Sequence, residues 1–269
     1  MNRKQIYTIL VIIGSVILYL ANDHLDNKNY QKTQIESGVS ENKFDITFLP
    51  KSTTGNIISH NFYTLSYSEK HEQAEWVSYE LKSGHISKNN FKRPYFVEDK
   101  KVKSKSADWR NYKKSGYDKG HLCPAGDRTF DYDAYHETFL TSNISPQNNE
   151  FNSGIWNRLE QKTRYWSKKL GEVYVVTGGV LEAQLNHIGE EQVSVPNYFY
   201  KIIMNTNDKE LNAIAFLIPN EPSSQSFYEY VVTIDEIESR TKNDFFSNLD
   251  DELETNLESR INFKSWSKY

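Results

Sequence analysis

Short apolar runs recur along this chain, and they are separated by polar segments that predict turns and loops. β-Branched and aromatic residues are concentrated in 57–66 and 76–81, and near-continuous apolar runs occupy 173–180, 198–204 and 211–219. Runs of this length and composition predict strands, and the last three have the pattern of strands buried in the centre of a sheet.

Two longer segments have the spacing of helices instead. The apolar positions of 154–170 fall on one helical face, and 234–257 shows a similar pattern. Strands and helices are mixed without a regular strand–helix–strand alternation. The pattern therefore predicts an α+β fold, with a mixed or antiparallel central sheet flanked by helices, in a single domain over residues 44–269.

The amino-terminal end differs from the rest of the chain. Arg3 and Lys4 precede the uncharged, mainly aliphatic run 6–21, whose 16 residues fall between the ~7–15 of a secretory apolar region and the ~20 that span a bilayer. Residues 1–21 are therefore expected to be a signal peptide or an uncleaved membrane anchor. A buried core helix is disfavoured, because a terminal helix that is apolar on all faces has little to pack against.

Both of the favoured interpretations of the amino-terminal end export the remainder of the chain. The basic end stays in the cytoplasm, because Lys and Arg resist translocation. The expected location is periplasmic or extracellular, or anchored to the membrane through residues 6–21. The polar stretch 22–43 is expected to be a flexible tether.

Composition narrows the class of protein. Of the 269 residues, 37% are hydrophobic and 14% are aromatic, which excludes a disordered polyelectrolyte. The formal net charge of −4 provides no overall positive field for a polyanion, so any such site must be local. Cys123 is the only cysteine, which excludes a disulfide scaffold and a cysteine-based zinc site.

Charge is unevenly distributed along the chain. Residues 92–119 contain ten basic and four acidic residues, interleaved with Trp109, Tyr112 and Tyr117, whereas 235–258 contains nine acidic and two basic residues. Charge runs are commonly solvated faces. The aromatic side chains among the cations also fit a surface that contacts phosphates and stacks on bases.

The basic segment runs directly into the sequence Asp-Lys-Gly-His at 118–121, which is followed by a turn containing Pro124 and Gly126. Gly120 frees the backbone before His121, so His121 is expected at the end of a short strand. An imidazole can accept a proton from water at neutral pH. On its own, a histidine near a turn is also compatible with a structural role.

A second cluster is rich in carboxamides. Asn143, Gln147, Asn148, Asn149 and Asn152 all come shortly before the helix predicted over 154–170. Such side chains are common in turns and at helix N-caps. They are also neutral oxygen ligands that suit Mg²⁺. These residues alone do not distinguish the two roles.

Taken together, the two clusters closely resemble the DNA/RNA non-specific endonucleases, ββα-metal nucleases whose signature is Asp-Arg-Gly-His. Segments 92–94, 175–179, 195–201 and 244–246 resemble family segments in family order, and the resemblance covers roughly residues 56–249. It implies a ββα-metal motif within the α+β fold. It also implies Mg²⁺, or Mn²⁺, as cofactor and DNA and RNA as substrates.

Carried over residue by residue, the resemblance makes His121 the general base and Asn152 the direct Mg²⁺ ligand. Glu160 lies eight residues after Asn152, about 12 Å along an ideal helix, and its expected role is through water. Arg93 is expected to face the scissile phosphate. Asn143 and Gln147 match positions that line the metal-water network.

The signature itself contains one departure from the family pattern. Lys119 stands where the family has arginine, next to the matching Asp118. An ammonium keeps the charge but loses the planar, bidentate geometry toward phosphate. Cys123 follows His121 by two residues, and a small buried apolar role is favoured for it over a nucleophile or ligand.

The function implied is hydrolysis of internal phosphodiester bonds in DNA and RNA. Contacts to phosphate, rather than to base edges or the 2′-hydroxyl, predict little discrimination by sequence or sugar. Two alternatives remain. One is a phosphodiesterase acting on small phosphate esters, and the other is an inactive nuclease fold that binds nucleic acid.

Overall fold

The computed structural model of this chain describes residues 48–205 and 211–268. They belong to the compact unit Lys43–Tyr269. The predicted signal or anchor segment 1–21 and the predicted tether 22–43 lie outside the described residues.

The strands form one large sheet and two small ones. In chain order the strands are β1 (Ile57–Ser59), β2 (Thr64–Ser68), β3 (Gln73–Lys82), β4 (Tyr117–His121), β5 (Ile144–Asn148), β6 (Glu172–Gly179), β7 (Asn186–Ile188), β8 (Val193–Val195), β9 (Tyr198–Asn205), β10 (Asn212–Pro219) and β11 (Val231–Val232). The large sheet has the order β1-β2-β3-β6-β9-β10-β11, and its neighbouring strands are antiparallel. β4 pairs with β5, and β7 pairs with β8.

Most of the predicted strands are confirmed. The segments 76–81, 173–180, 198–204 and 211–219 correspond to β3, β6, β9 and β10. The single strand predicted over 57–66 is wrong.

That segment folds as β1, a turn and β2. The backbone N–H groups of Asn61 and Phe62 in the turn donate to the carboxylate of Glu137, at 3.2 Å each. The polar groups of the turn are thus satisfied by a side chain rather than by a neighbouring strand.

Helices occupy the connections and the carboxyl-terminal part. They are α1 (Tyr132–Glu137), α2 (Asn149–Phe151), α3 (Asn157–Leu170), α4 (Ile234–Thr241), α5 (Asp251–Glu258) and α6 (Phe263–Trp266). Within the described ranges no helix combines the length and the apolar character needed to cross a bilayer.

Both predicted helices need correction. The helix expected over 154–170 begins at Asn157, because Gly154, within the wide turn Asn152–Trp156, has non-helical dihedral angles and kinks the chain. The helix expected over 234–257 is two helices, α4 and α5. Lys242 ends α4 in the left-handed conformation, with φ of 64°, and Asp250 caps the start of α5.

The large sheet buries both of its faces. Alternate residues of β6 point to opposite sides, so that Val175 lies in one hydrophobic core and Val176 in the other. Trp166 of α3 belongs to the first core, and Ile237 of α4 and Leu257 of α5 belong to the second. Burial on both faces explains why the central strands read as continuous apolar runs.

Candidate active site

A two-stranded hairpin followed by a helix carries the predicted site residues. β4 and β5 pair antiparallel with Asp118 opposite Gln147 and His121 opposite Ile144. The chain then continues through α2 and the π-helical turn into α3, which is the ββα arrangement implied by the sequence resemblance. The predicted position of His121 at the end of a short strand is confirmed.

His121 is held between two aromatic rings. The centroid of its imidazole lies 5.4 Å from that of Phe96 and 5.0 Å from that of Phe139. Its Nε2 is buried and has no hydrogen-bond partner among the described residues. Burial, assisted by the positive charge of Arg93, lowers the pKa of His121 to about 4. The ring is therefore neutral at pH 7, the form that accepts a proton.

Two cations lie close to the rings of Phe96 and Phe139, which form the aromatic floor of the site. The guanidinium carbon of Arg93 lies 5.7 Å from the ring centroid of Phe96 and 5.6 Å from that of Phe139. The Nζ of Lys119 lies 5.5 Å from the Phe96 centroid. The structure thus brings Arg93, Lys119 and His121 together around one phenylalanine ring, as a positively charged surface next to a neutral imidazole.

Asn152 is oriented by the signature aspartate. Its Nδ2 donates to Oδ2 of Asp118 at 2.9 Å, and Nδ2 of Asn149 donates to the same oxygen at 3.1 Å. With the amide nitrogen engaged, Oδ1 is the atom of Asn152 that remains for a ligand. Asp118 and His121 are three residues apart on β4, about 10 Å along an extended strand.

Gln147 packs against the backbone of β4. A Cβ added to Gly120 would lie 2.1 Å from Oε1 of Gln147, so only glycine leaves room for this carboxamide. Gln147 is fully buried, and its Oε1 and Nε2 have no hydrogen-bond partner among the described residues. A buried carboxamide without partners is costly. It fits a position beside the hydration shell of a bound divalent ion.

Glu160 lies on α3 and is partly buried. Burial raises the pKa of Glu160 to about 7, while the charges of Lys201 and Arg164 lower it and that of Asp127 raises it. Arg164 pairs with Asp127 at 2.6 Å. Lys201 is fully buried, with its Nζ 4.8 Å from the ring centroid of Trp156. Glu160 is therefore part of a buried charge network.

Asn143 is hydrogen-bonded to the backbone next to His121. Its Oδ1 accepts from the backbone N–H of Cys123 at 2.8 Å, and its Nδ2 donates to the carbonyls of Cys123 and Thr138. The side chain thus holds the backbone just past His121 in place. Cys123 itself is fully buried, and burial raises the pKa of its thiol to about 12.

Several residues around the site were not identified from the sequence. Phe96 and Phe139 form the floor under His121, and Tyr95, next to Phe96, is 90% exposed. Lys201 could have been identified from the sequence, because a lysine inside an otherwise apolar strand must find a compensating charge. Aromatic residues scattered through a basic segment carry no comparable signal, because packing alone decides which ones are buried.

Comparison with known proteins agrees with this geometry. Residues 40–252 match the family model described as DNA/RNA non-specific endonuclease. The chain belongs to this family. The predicted resemblance is thereby confirmed, and family membership makes the chain a nuclease, a hydrolase that acts on the ester bonds of nucleic acid.

Relatives of this nuclease occur in animals and bacteria. It is 34% identical to the mitochondrial nuclease EXOG of Danio rerio, over 81% of this chain and 68% of that protein. It is 32% identical to a nuclease of a Nostoc strain, over 75% of this chain and 77% of that protein.

A solved structure shares the fold of this nuclease. The crystal structure of an EndoG/EndoGI complex contains a chain with a TM-score of 0.67 and 29% identity, covering 72% of this chain and 87% of that one. The predicted α+β class is confirmed.

Substitution of Gly120 tests the packing of the hairpin on Gln147. In Gly120→Ala, the added methyl group would displace the Gln147 carboxamide, and we expect plasmid cleavage to fall by at least about tenfold. Overpacking of this kind also lowers the free energy of unfolding by about 1–3 kcal/mol. Plasmid nicking and thermal unfolding of the same preparations measure the two effects.

Gly84→Ala is the matched control for Gly120→Ala, because a Cβ at Gly84 would meet no atom within 4 Å. We expect it to keep both activity and stability. Wild-type cleavage by a folded Gly120→Ala protein would contradict the role assigned to Gln147.

Proposed function

We propose that this nuclease cuts internal phosphodiester bonds of both DNA and RNA in a metal-dependent reaction with His121 as the general base. The observation that supports it best is the state of His121. Its Nε2 is buried without a partner in the described part of the chain, its pKa is lowered to about 4, and two cations adjoin the same aromatic floor. A neutral imidazole beside an anion-binding surface is suited to take a proton from water that attacks a phosphodiester.

The two cations would hold the phosphate in different ways. Arg93 presents a planar guanidinium with paired donors, which suits two oxygens of one phosphate. Lys119 contributes a point charge, which attracts the phosphate without fixing its orientation. Their common contact with Phe96 would keep the phosphorus within reach of the water activated by His121.

The donor set of the hairpin and helix fits a hard divalent ion. Asn152 would hold the ion through Oδ1, because Asp118 engages the amide nitrogen, and Gln147 and Glu160 would bind its water molecules. Mg²⁺, or Mn²⁺, would supply Lewis-acid stabilisation of charge on the phosphate when bound. Asp118 would set the orientation of the Asn152 oxygen, and the Lys201 network would favour the ionised form of Glu160.

The same geometry favours polynucleotides as substrates. The polar groups on the aromatic floor are cations that recognise phosphate and do not read bases or sugars. Tyr95 is 90% exposed two residues from Arg93, a position from which its ring would stack on a base of either nucleic acid. A phosphodiesterase for small esters would not need this exposed ring. An inactive nucleic-acid-binding fold would not need to keep both His121 and Asn152.

We further propose that the nuclease acts outside the cytoplasm. The proposal rests on the apolar run 6–21 preceded by Arg3 and Lys4, which is suited to a signal peptide or an anchor. If uncleaved, this segment would attach the protein to the membrane.

Replacement of the base tests the central assignment. In His121→Ala, we expect the rate of plasmid nicking to fall by about 10³-fold, the contribution of a general base, in a protein that remains folded. The assay compares EDTA-treated protein with and without added Mg²⁺ or Mn²⁺. A chromogenic phosphodiester assayed in parallel should be cleaved much more slowly than plasmid, which separates the endonuclease from a phosphodiesterase of small esters.

His187→Ala is the matched control for His121→Ala, since His187 is exposed on β7, and it is expected to nick at the wild-type rate. Undiminished nicking by His121→Ala would refute the assignment. Nicking that persists equally in EDTA would refute the metal requirement.

The pH profile tests the electrostatic coupling of Arg93 to His121. Only neutral imidazole acts as the base, and its pKa is lowered to about 4. The acidic limb of kcat/KM that reports His121 should therefore fall toward pH 4, well below the limb near pH 7 expected from protonation of Glu160. In Arg93→Gln, loss of the repelling cation should raise the pKa of His121 and move this acidic limb to higher pH. The chromogenic phosphodiester is the substrate, since it tolerates acid.

Lys92→Gln removes a neighbouring exposed cation and should leave the midpoint of the acidic limb in place. An Arg93→Gln profile that loses amplitude with an unmoved midpoint would show that Arg93 binds phosphate without affecting the base.

Tyr95 tests contact with the polynucleotide. In Tyr95→Ala, loss of one stacking contact should raise KM for single-stranded DNA and for RNA by about tenfold, within the 1–3 kcal/mol of such contacts. Cleavage of the small chromogenic phosphodiester should be unaffected, because it lacks a base. Tyr95→Phe should keep the wild-type KM, and an unchanged KM in Tyr95→Ala would contradict the stacking role.

A further inference from the structure

Three carboxylates converge on the side of the protein formed by α4 and α5. Asp235 and Glu238 lie one helical turn apart on α4, and Glu258 is the last residue of α5. One carboxylate oxygen from each lies within 4.8 Å of the other two. None of the three is among the residues of the candidate active site.

Glu258 distinguishes this cluster from an ordinary acidic surface. The residue is only 6% exposed, and its Oε1 is buried without a hydrogen-bond partner among the described residues. A buried carboxylate oxygen without a partner costs several kcal/mol unless a proton or a cation accompanies it. Something absent from the protein chain is therefore expected at this oxygen.

The nearby basic side chains do not supply the missing charge. Arg240 pairs with Glu236 at 3.7 Å, Lys242 donates to the carbonyl of Ser239, and Lys51 pairs with Asp244. Over 48–205 and 211–268, no ion pair joins a lysine or arginine to any of the three carboxylates.

The geometry matches the coordination of a hard divalent cation. Oxygen ligands at 2.3–2.6 Å from Ca²⁺ lie up to about 5 Å apart across the ion, a range that includes the 4.8 Å limit of the cluster. Oε1 of Glu238 already accepts from the backbone N–H of Phe245 at 2.7 Å, which fixes the carboxylate. Burial and the neighbouring Glu238 raise the pKa of Glu258 to about 8, as expected when no cation balances the site.

We propose that Asp235, Glu238 and Glu258 form a second cation site, which binds Ca²⁺ and holds α4 against α5. The loop between these helices carries Phe245 and Phe246, both buried in the core beneath the sheet. By joining α4 to α5, the bound ion fixes the two ends of this loop and stabilises the packing of the two helices. The site is independent of the proposed catalytic reaction.

Thermal unfolding and calorimetric titration of the full chain test this proposal. Both use the Asn152→Ala background, so that binding at the proposed catalytic site does not contribute. After treatment with EDTA and its removal, CaCl₂ alone is the probe. We expect one Ca²⁺ per chain, and a rise in Tm of about 5 °C at a hundredfold excess over Kd.

Glu258→Gln removes a ligand with little change of shape, and we expect it to abolish both the heat of binding and the rise in Tm. Glu252→Gln removes the same charge from an exposed position on α5 and should keep both. Should Glu258→Gln fail to fold, Asp235→Asn at the exposed end of the cluster should abolish the same two signals. Failure of His121→Ala to lose activity would overturn the proposed mechanism without affecting this result.

Two outcomes would overturn the proposal. One is a Ca²⁺ response that persists in Glu258→Gln and Asp235→Asn. The other is the absence of any Ca²⁺ response together with a Tm that rises as pH falls from 8 to 6, which would mean that the carboxylates share a proton.

Discussion

The close pairing of β4 with β5 is the constraint on which the candidate site depends. Gly120 allows the Gln147 carboxamide to lie against the β4 backbone at a distance that no other residue would permit. The same pairing places Asp118 opposite Gln147, where Asp118 reaches Asn152 on the following turn. The strand pairing thus fixes Asp118 and Gln147 relative to each other and, through Asp118, the amide group of Asn152.

Some of the buried polar atoms that lack a hydrogen-bond partner among the described residues belong to this hairpin. They are His121 Nε2 and both amide atoms of Gln147. Folding alone would select against such groups, because each loses hydration without gaining a hydrogen bond. Their presence supports the proposed binding of water, a cation and a phosphate at this hairpin. The Asn143 side chain, by contrast, is hydrogen-bonded through both Oδ1 and Nδ2 to the backbone of Cys123.

The sequence predicted those features that depend on local chemistry. The position of His121 at a strand end followed from Gly120 and the turn after it, and four strands followed from apolar runs. Features that depend on distant partners were not predictable. The break between β1 and β2 depends on Glu137, more than seventy residues away. The floor under His121 depends on the packing of Phe96 against Phe139, which no local pattern shows.

The wide turn Asn152–Trp156 changes the angular relation between Asn152 and Glu160. Eight residues of ideal helix rotate by about 800°, which would leave the two side chains about 80° apart around the axis. Gly154 lies inside this turn with φ of −98° and ψ of −105°, outside the helical region, so the chain is kinked between the two residues. The direction of Asn152 relative to Glu160 is therefore determined by this kink, and counting residues along a regular helix does not give it.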